Sequence, residues 1–326
     1  MSALAEIAGA LRASRGLAAK ADIARVSARL GLGLDRVAAA AVGDDCAALP
    51  DGDGFLLFAI EGFMNEFVAA DPWFAGWCGV MVNLSDIAAM GGRPLAVVDA
   101  LWAQDDERAA PILDGMRAAA ERYDVPIVGG HSNLNCDRAQ LSMATLGRAK
   151  KLLTSFDAKP GDDLILAVDL RGAYRPPFNN WQAALDAPAD RLRDDLALLP
   201  TIAEAGLSRA AKDVSQAGVI GTAAMLAECS GVGVSIEIGA IPKPEKIGWI
   251  QWLQSFPSFG FLIAAAREDV AEIVNLFQAR AIAAAPIGRF NGSRRVTIAD
   301  ALAEEVIWDF ARGPLLGCAT REGALP

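Results

Sequence analysis

The sequence is poor in several of the residues that most chemistry relies on. Its 326 residues hold one histidine, two tyrosines and five cysteines. The cysteines stand far apart, at Cys46, Cys78, Cys136, Cys229 and Cys318, and none forms a C-x-x-C pair. A structural zinc site needs several soft or imidazole ligands close together, so this composition argues against one. No carboxylate pairs recognisably with the lone His131, so a Ser/His/Asp nucleophile is not indicated. Positive charge is also short. Thirty basic residues face forty acidic ones, a net charge of −10, which argues against nucleic acid as a main partner. The phosphate-loop pattern G-x-x-x-x-G-K-[ST] is missing. A basic-then-apolar leader is missing too, and scattered thiols suit a reducing, cytoplasmic setting. The longest apolar stretch, 72–90, contains Asn83, Ser85 and Asp86 and opens on Asp71-Pro72. It reads as a buried soluble helix rather than a membrane span.

Apolar residues are abundant, at 53% of the chain, and much of that is alanine. The length suggests two domains. Helical spacing at Leu4, Ile7, Ala8 and Leu11, and at Ile23, Val26 and Leu30, predicts two short helices near the N-terminus. This segment, 1–40, could form a mobile lid carrying Lys20. An N-terminal domain is expected over 41–149, and a C-terminal α/β domain over 150–326. Strands are predicted over 55–60, 94–102, 125–128, 140–148, 163–168 and 260–265, and a helix over 107–123. The stretch 150–161 reads as a linker, the surroundings of Trp181 as helix, and Ser215 as the cap of a helix over 216–229. Strands and helices mix without strict alternation, which predicts a mixed α/β (α+β) architecture.

The candidate chemistry lies in acids at the ends of predicted elements. Asn83 and Asp86 stand three residues apart on one helix face. A carboxylate buried there needs a cation or a set of donors. The adjacent pair Asp44-Asp45 repels itself unless a cation is shared. Together with Asp86 and Asp213, these side chains form an oxygen-rich set suited to Mg2+. Gly91-Gly92 and Gly129-Gly130 allow a backbone to approach a phosphate closely. His131 and Ser132 follow the second pair.

The motifs Gly43-Asp44-Asp45, Asp71-Pro72, Asn83-Leu84-Ser85-Asp86, Met90-Gly91-Gly92, Gly129-Gly130-His131-Ser132, Ala158-Lys159-Pro160-Gly161-Asp162 and Asp213-Val214-Ser215 occur in that order. In this order the chain resembles the superfamily of aminoimidazole ribonucleotide synthetase over about residues 40–290. That superfamily includes selenophosphate synthetase, thiamine-monophosphate kinase and a carbamoyl-dehydrating hydrogenase-maturation protein. The resemblance implies a two-domain fold whose N-terminal strands form a barrel across a homodimer. It implies ATP as substrate, with Mg2+ on Asp44, Asp45, Asp86 and Asp213. Asn83, Gly91, Gly92, Gly129, Gly130 and Ser132 would lie near the phosphates or the acceptor, and Lys20 and His131 would take catalytic roles. Glu61, His131 and Gln216 replace aspartates usual in thiamine-monophosphate kinases. No cysteine precedes Asp44, as selenophosphate synthetase would require, and Cys318 is followed by eight residues, unlike the terminal cysteine of the carbamoyl-dehydrating type. The expected function is therefore Mg2+-dependent phosphoryl transfer from ATP to a small-molecule acceptor that the sequence does not identify. The alternatives are a non-catalytic nucleotide-binding module, or an activity like that of thiamine-monophosphate kinase or selenophosphate synthetase.

Overall fold

The computed structural model describes residues 2–31 and 42–317. Cys318 and residues 32–41 of the expected lid segment lie outside the described residues. In chain order the elements are α1 (Ala3–Arg12), α2 (Arg15–Leu30), β1 (Ala47–Asp51), β2 (Gly54–Gly62), α3 (Asn65–Ala70), α4 (Pro72–Ala89), β3 (Arg93–Trp102), α5 (Asp106–Tyr123), β4 (Ile127–Asn133) and β5 (Gln140–Ala149). There follow β6 (Asp163–Val168), β7 (Ala173–Tyr174), β8 (Asn180–Gln182), α6 (Ala189–Leu196), α7 (Leu198–Ala205), β9 (Ala210–Asp213), α8 (Gly218–Cys229) and β10 (Gly233–Glu237). The chain ends with α9 (Trp249–Leu253), β11 (Phe256–Pro257), β12 (Gly260–Ala265), α10 (Val270–Gln278), β13 (Ala283–Asn291), β14 (Arg295–Ala299) and β15 (Glu304–Asp309).

These elements divide into two compact units. The smaller comprises Asp45–Lys151 and Asp186–Thr201, and the larger comprises Met1–Asp44, Leu152–Leu185 and Ile202–Pro326. The three expected segments are thus regrouped. The N-terminal helices join the C-terminal unit because Leu4, Ile7, Ala8, Leu11 and Leu17 are buried in its core. A short return, 186–201, joins the N-terminal unit, where the Arg122 guanidinium donates to the Ala187 carbonyl at 2.5 Å.

The smaller unit is built on a five-stranded sheet in the order β1-β2-β5-β3-β4, which stays open. Its pairs are antiparallel except β3–β4. Helix α4 covers one side and buries every residue from Phe74 to Ala89. It begins as its sequence predicts: Asp71 accepts from the Phe74 N–H at 3.3 Å and Pro72 occupies the first turn, where a missing N–H does no harm. Strand β4 extends past the expected 125–128 through Gly129-Gly130-His131-Ser132-Asn133, because these residues pair with Val98–Trp102 of β3.

The larger unit holds a seven-stranded sheet in the order β15-β14-β10-β13-β6-β12-β9 and a small sheet β11-β8-β7. The inner strands β6 and β12 are almost wholly buried, which explains their unbroken apolar runs. Trp181 lies in strand β8 rather than a helix; its indole N–H donates to the Asp169 carbonyl and its ring meets Trp252 edge-on. The stretch 150–161 is not a solvated linker, since Leu153, Thr154, Ser155 and Phe156 are buried. The buried Glu228 at the end of α8 accepts the backbone N–H groups of Leu315, Leu316 and Gly317, at 3.1, 2.6 and 3.0 Å, and so ties down the following chain. Among the described residues, no helix is long and apolar enough to cross a membrane.

Candidate active site

The smaller unit presents its acids from α4 and from the segment entering β1. Asp86 is 5% exposed and Asn83 fully buried, one helical turn apart. The Asn83 amide N–H donates to the Gly79 carbonyl at 2.8 Å, while its Oδ1 is buried and receives no hydrogen bond. An acceptor left so in the interior loses about 1–3 kcal/mol unless a donor or cation reaches it. Asp45, the half-buried first residue of this unit, offers a carboxylate oxygen within 4.8 Å of one from Asp86. Two like charges at that separation raise each other's energy until a cation intervenes. Hard oxygen donors so disposed fit Mg2+, which is held through one or two carboxylates and otherwise keeps water or phosphate ligands.

The two glycine pairs have different surroundings. Gly91 and Gly92 are buried and close α4: Gly91 adopts a φ of +76°, and its N–H and that of Gly92 donate back to Ala88 and Ile87. This turn already accounts for glycine there. Gly129 lies open on the edge strand β4. At Gly130 a Cβ would come within 2.2 Å of the Asp99 carboxylate, so the strand passes that acid only as glycine. His131 pairs with Ala100, and its ring lies 5.8 Å from that of Trp102. Ser132 pairs with Leu101 on the same exposed strand.

Asp99 is a candidate that the sequence reading missed. Its Oδ2 is buried without a hydrogen-bond partner, and burial raises its carboxyl above the usual carboxylate range. Glu61, Met143, Asp99 and Gly130 stand in one register row across β2, β5, β3 and β4. The signal was an acid inside the apolar run 94–102.

The larger unit holds the remaining predicted residues. The Asp44 carboxylate accepts from the Ser155 backbone N–H at 2.8 Å and from its hydroxyl at 2.7 Å. Asp213 ends β9, is 6% exposed and follows the equally buried Lys212. Ser215 does not cap α8. Ala217 takes the cap position without a side-chain bond, and the Ser215 backbone N–H donates to Thr222 Oγ1 at 3.1 Å. Helix α8 therefore offers first-turn N–H groups with no side-chain cap. Helix α2 meets this turn through Gly16, where a Cβ would lie 2.2 Å from the Gln216 carbonyl. Lys20 follows Gly16 by one turn, on the same helix face. Ile23, Val26 and Leu30, whose spacing predicts this helix, lie on its exposed side, and only Leu17 of α2 reaches the core.

Comparison with known proteins matches this architecture. Residues 43–149 match the model of the AIR synthase related protein N-terminal domain, and residues 180–301 that of the C-terminal domain. The chain is 46% identical over 278 residues to the Synechocystis sp. protein called uncharacterized protein sll0787, covering 85% of this chain and 86% of that one. It is 30% identical over 213 residues to thiamine-monophosphate kinase of Methanospirillum hungatei, covering 62% of this chain and 71% of the kinase. Among solved structures, AaThiL complexed with AMPPCP and TMP shares the fold with a TM-score of 0.65 at 19% identity, over 86% of this chain and 93% of that one. T. maritima PurL complexed with ATP has a TM-score of 0.69 at 17% identity, over 83% of this chain and 46% of that one, so the chain spans about half of PurL. By both matched domains and by the relative alike along most of its length, the chain belongs to the AIR synthase related protein family.

Proposed function

We propose that this chain is a Mg2+-dependent enzyme that uses ATP to activate a small-molecule acceptor by phosphoryl transfer. The observation that carries the reading is the approach of the Asp45 carboxylate to that of the buried Asp86. In this reading Asp45 and Asp86 hold Mg2+, with Asp213 as a further ligand. Asp44, already fixed by Ser155, steadies the segment that presents Asp45. The bound cation supplies charge that offsets the phosphate oxygens. The chain's residues do the placing, which is most of what phosphoryl transfer requires. Asn83 adds a buried Oδ1 that receives no hydrogen bond, one helical turn from Asp86. The uncapped start of α8 favours a phosphate, and Lys20 adds a cation from α2. Names of relatives bound to ATP and AMPPCP support the nucleotide.

The same reading makes the protein a homodimer. Phe58, Ile60, Val98, Val128 and Leu146 leave an apolar surface on the sheet of the smaller unit, with Ile60 at 67% and Val128 at 64% exposure. A second copy laid on this surface would remove it from water and bring two open sheets together as a barrel. Gly129, Gly130, His131 and Ser132 then stand beside that junction, with His131 toward the acceptor. Among the described residues the four cysteines are free, which suits a reducing cytoplasm.

The test is ADP release with MgATP across a panel of small nucleophiles. Asp86→Asn should lower the rate at least a hundredfold and flatten its dependence on Mg2+. An unchanged rate removes the carboxylate site from the mechanism. MgATP binding by the native chain without ADP release from any acceptor would instead identify a nucleotide-binding module.

A further inference from the structure

The smaller unit contains a cavity of about 640 Å3 between α3, the start of α5 and the loop entering β5. This is the size range of small-molecule sites. Its apolar side is formed by Val68, Pro72 and Ile112, and Val68 and Ile112 are fully buried. Its polar side is rich in acceptors. Gln104 Oε1 is buried and receives no hydrogen bond. Pro111 lies inside α5 and has no N–H, so the Glu107 carbonyl four residues earlier lacks its helical donor. Pro111, Gln104 and Glu107 all line the cavity, and Glu66 adds a second carboxylate beside that of Glu107. Of the two arginines at the cavity, Arg108 is engaged by Asp105 at 2.6 Å and Arg138 lies 4.0 Å from Asp137.

A proline inside a helix and a buried amide oxygen without a donor are both unfavourable for the unliganded fold. Here both residues, Pro111 and Gln104, line one cavity. We propose that this cavity binds an organic cation, an amine or amidine with an apolar body. Its N–H groups donate to Gln104 Oε1 and the Glu107 carbonyl, its charge meets Glu66 and Glu107, and its body lies on Val68 and Ile112. The site is separate from the carboxylate site proposed for ATP. Pro72 and Asp86 are fourteen residues apart on α4, about 21 Å along a helix rising 1.5 Å per residue. The inference therefore does not depend on the phosphoryl-transfer reading.

The probes are benzamidine, benzamide and benzoate, titrated into the full-length protein with heteronuclear NMR detection. Benzamidine should bind in the millimolar range and shift the amides of Gln104, Glu107 and Ile112. Benzamide should bind at least tenfold more weakly, and benzoate should not compete. Gln104→Leu should raise the benzamidine Kd at least fivefold. Pro111→Ala, which restores the helical donor, should raise the Kd and also raise Tm, so a weakened site can be told from a damaged fold. Benzoate binding as well as benzamidine, or a benzamidine Kd unchanged in both variants, would overturn the proposal.

Discussion

The two large sheets solve the same burial problem differently. In the larger unit the inner strands β6 and β12 are buried on both sides by the chain itself. In the smaller unit one side of the sheet lies under α4, while Phe58, Ile60 and Val128 remain exposed. The strands read similarly in sequence, as short apolar runs. The difference teaches that the second sheet has an apolar surface that its own unit leaves in water. An exposed apolar surface of this kind commonly marks an interaction site.

The carboxylate site gives the largest test of that contrast, because it places function in the unit with the incomplete sheet. Asp86→Ala should abolish ATP turnover, measured as ADP release, while a control at the exposed Asp53 should leave it intact. Next, if the proposed dimer forms through this surface, Ile60→Lys should leave a 34.1 kDa monomer in sedimentation equilibrium. An unaltered mass distribution would show that this surface has another use. The neighbouring edge strand offers a paired test. Gly130→Ala drives a Cβ into the Asp99 carboxylate and should cost about 1–3 kcal/mol in urea unfolding, as overpacking does. Gly129→Ala meets nothing within 4 Å and should stay within about 0.5 kcal/mol of the native protein.

The smallest effect concerns Asp99 itself. Burial raises its folded-state pKa above the ordinary value, so its protonated form is favoured in the native protein. Below the unfolded pKa the acid is protonated in both states and carries no penalty. As pH rises through the folded pKa the native state must hold the charge, and stability is lost. Asp99→Asn should therefore raise Tm at pH 7 relative to the native protein, and the gain should fade toward pH 3. A Tm difference independent of pH would show that the charge is not the cause.

Local chemistry made much of the fold legible. Asp71-Pro72 marks the start of α4 because a side-chain acceptor and a missing N–H suit a helix N-terminus wherever it occurs. The unbroken apolar runs of β6 and β12 mark inner strands because a strand buried on both faces needs apolar residues at successive positions. The misreadings share a physical origin. The strand expected over 125–128 stops short of Gly129–Asn133 because glycine and polar residues are poor strand formers, yet pairing with β3 overrides propensity. Trp181 looks helical, but it is held in β8 by contacts with Asp169 and Trp252 that are remote in sequence. Ser215 looks like a cap, but its N–H is taken by Thr222 and the helix starts later. At the candidate site, Asp86 was legible from its apolar surroundings. Asp99 was not singled out, because its meaning depends on the strand that passes over it.

The sequence by itself determined the acids, the glycines beside them, the cap of α4 and the apolar runs that become inner strands, since each follows from residue type and near neighbours. Only the tertiary structure decided that Asp45 approaches Asp86, that Asp44 turns to Ser155, and that one sheet keeps an apolar side in water. Those outcomes depend on contacts between distant segments, whose geometry no local pattern encodes.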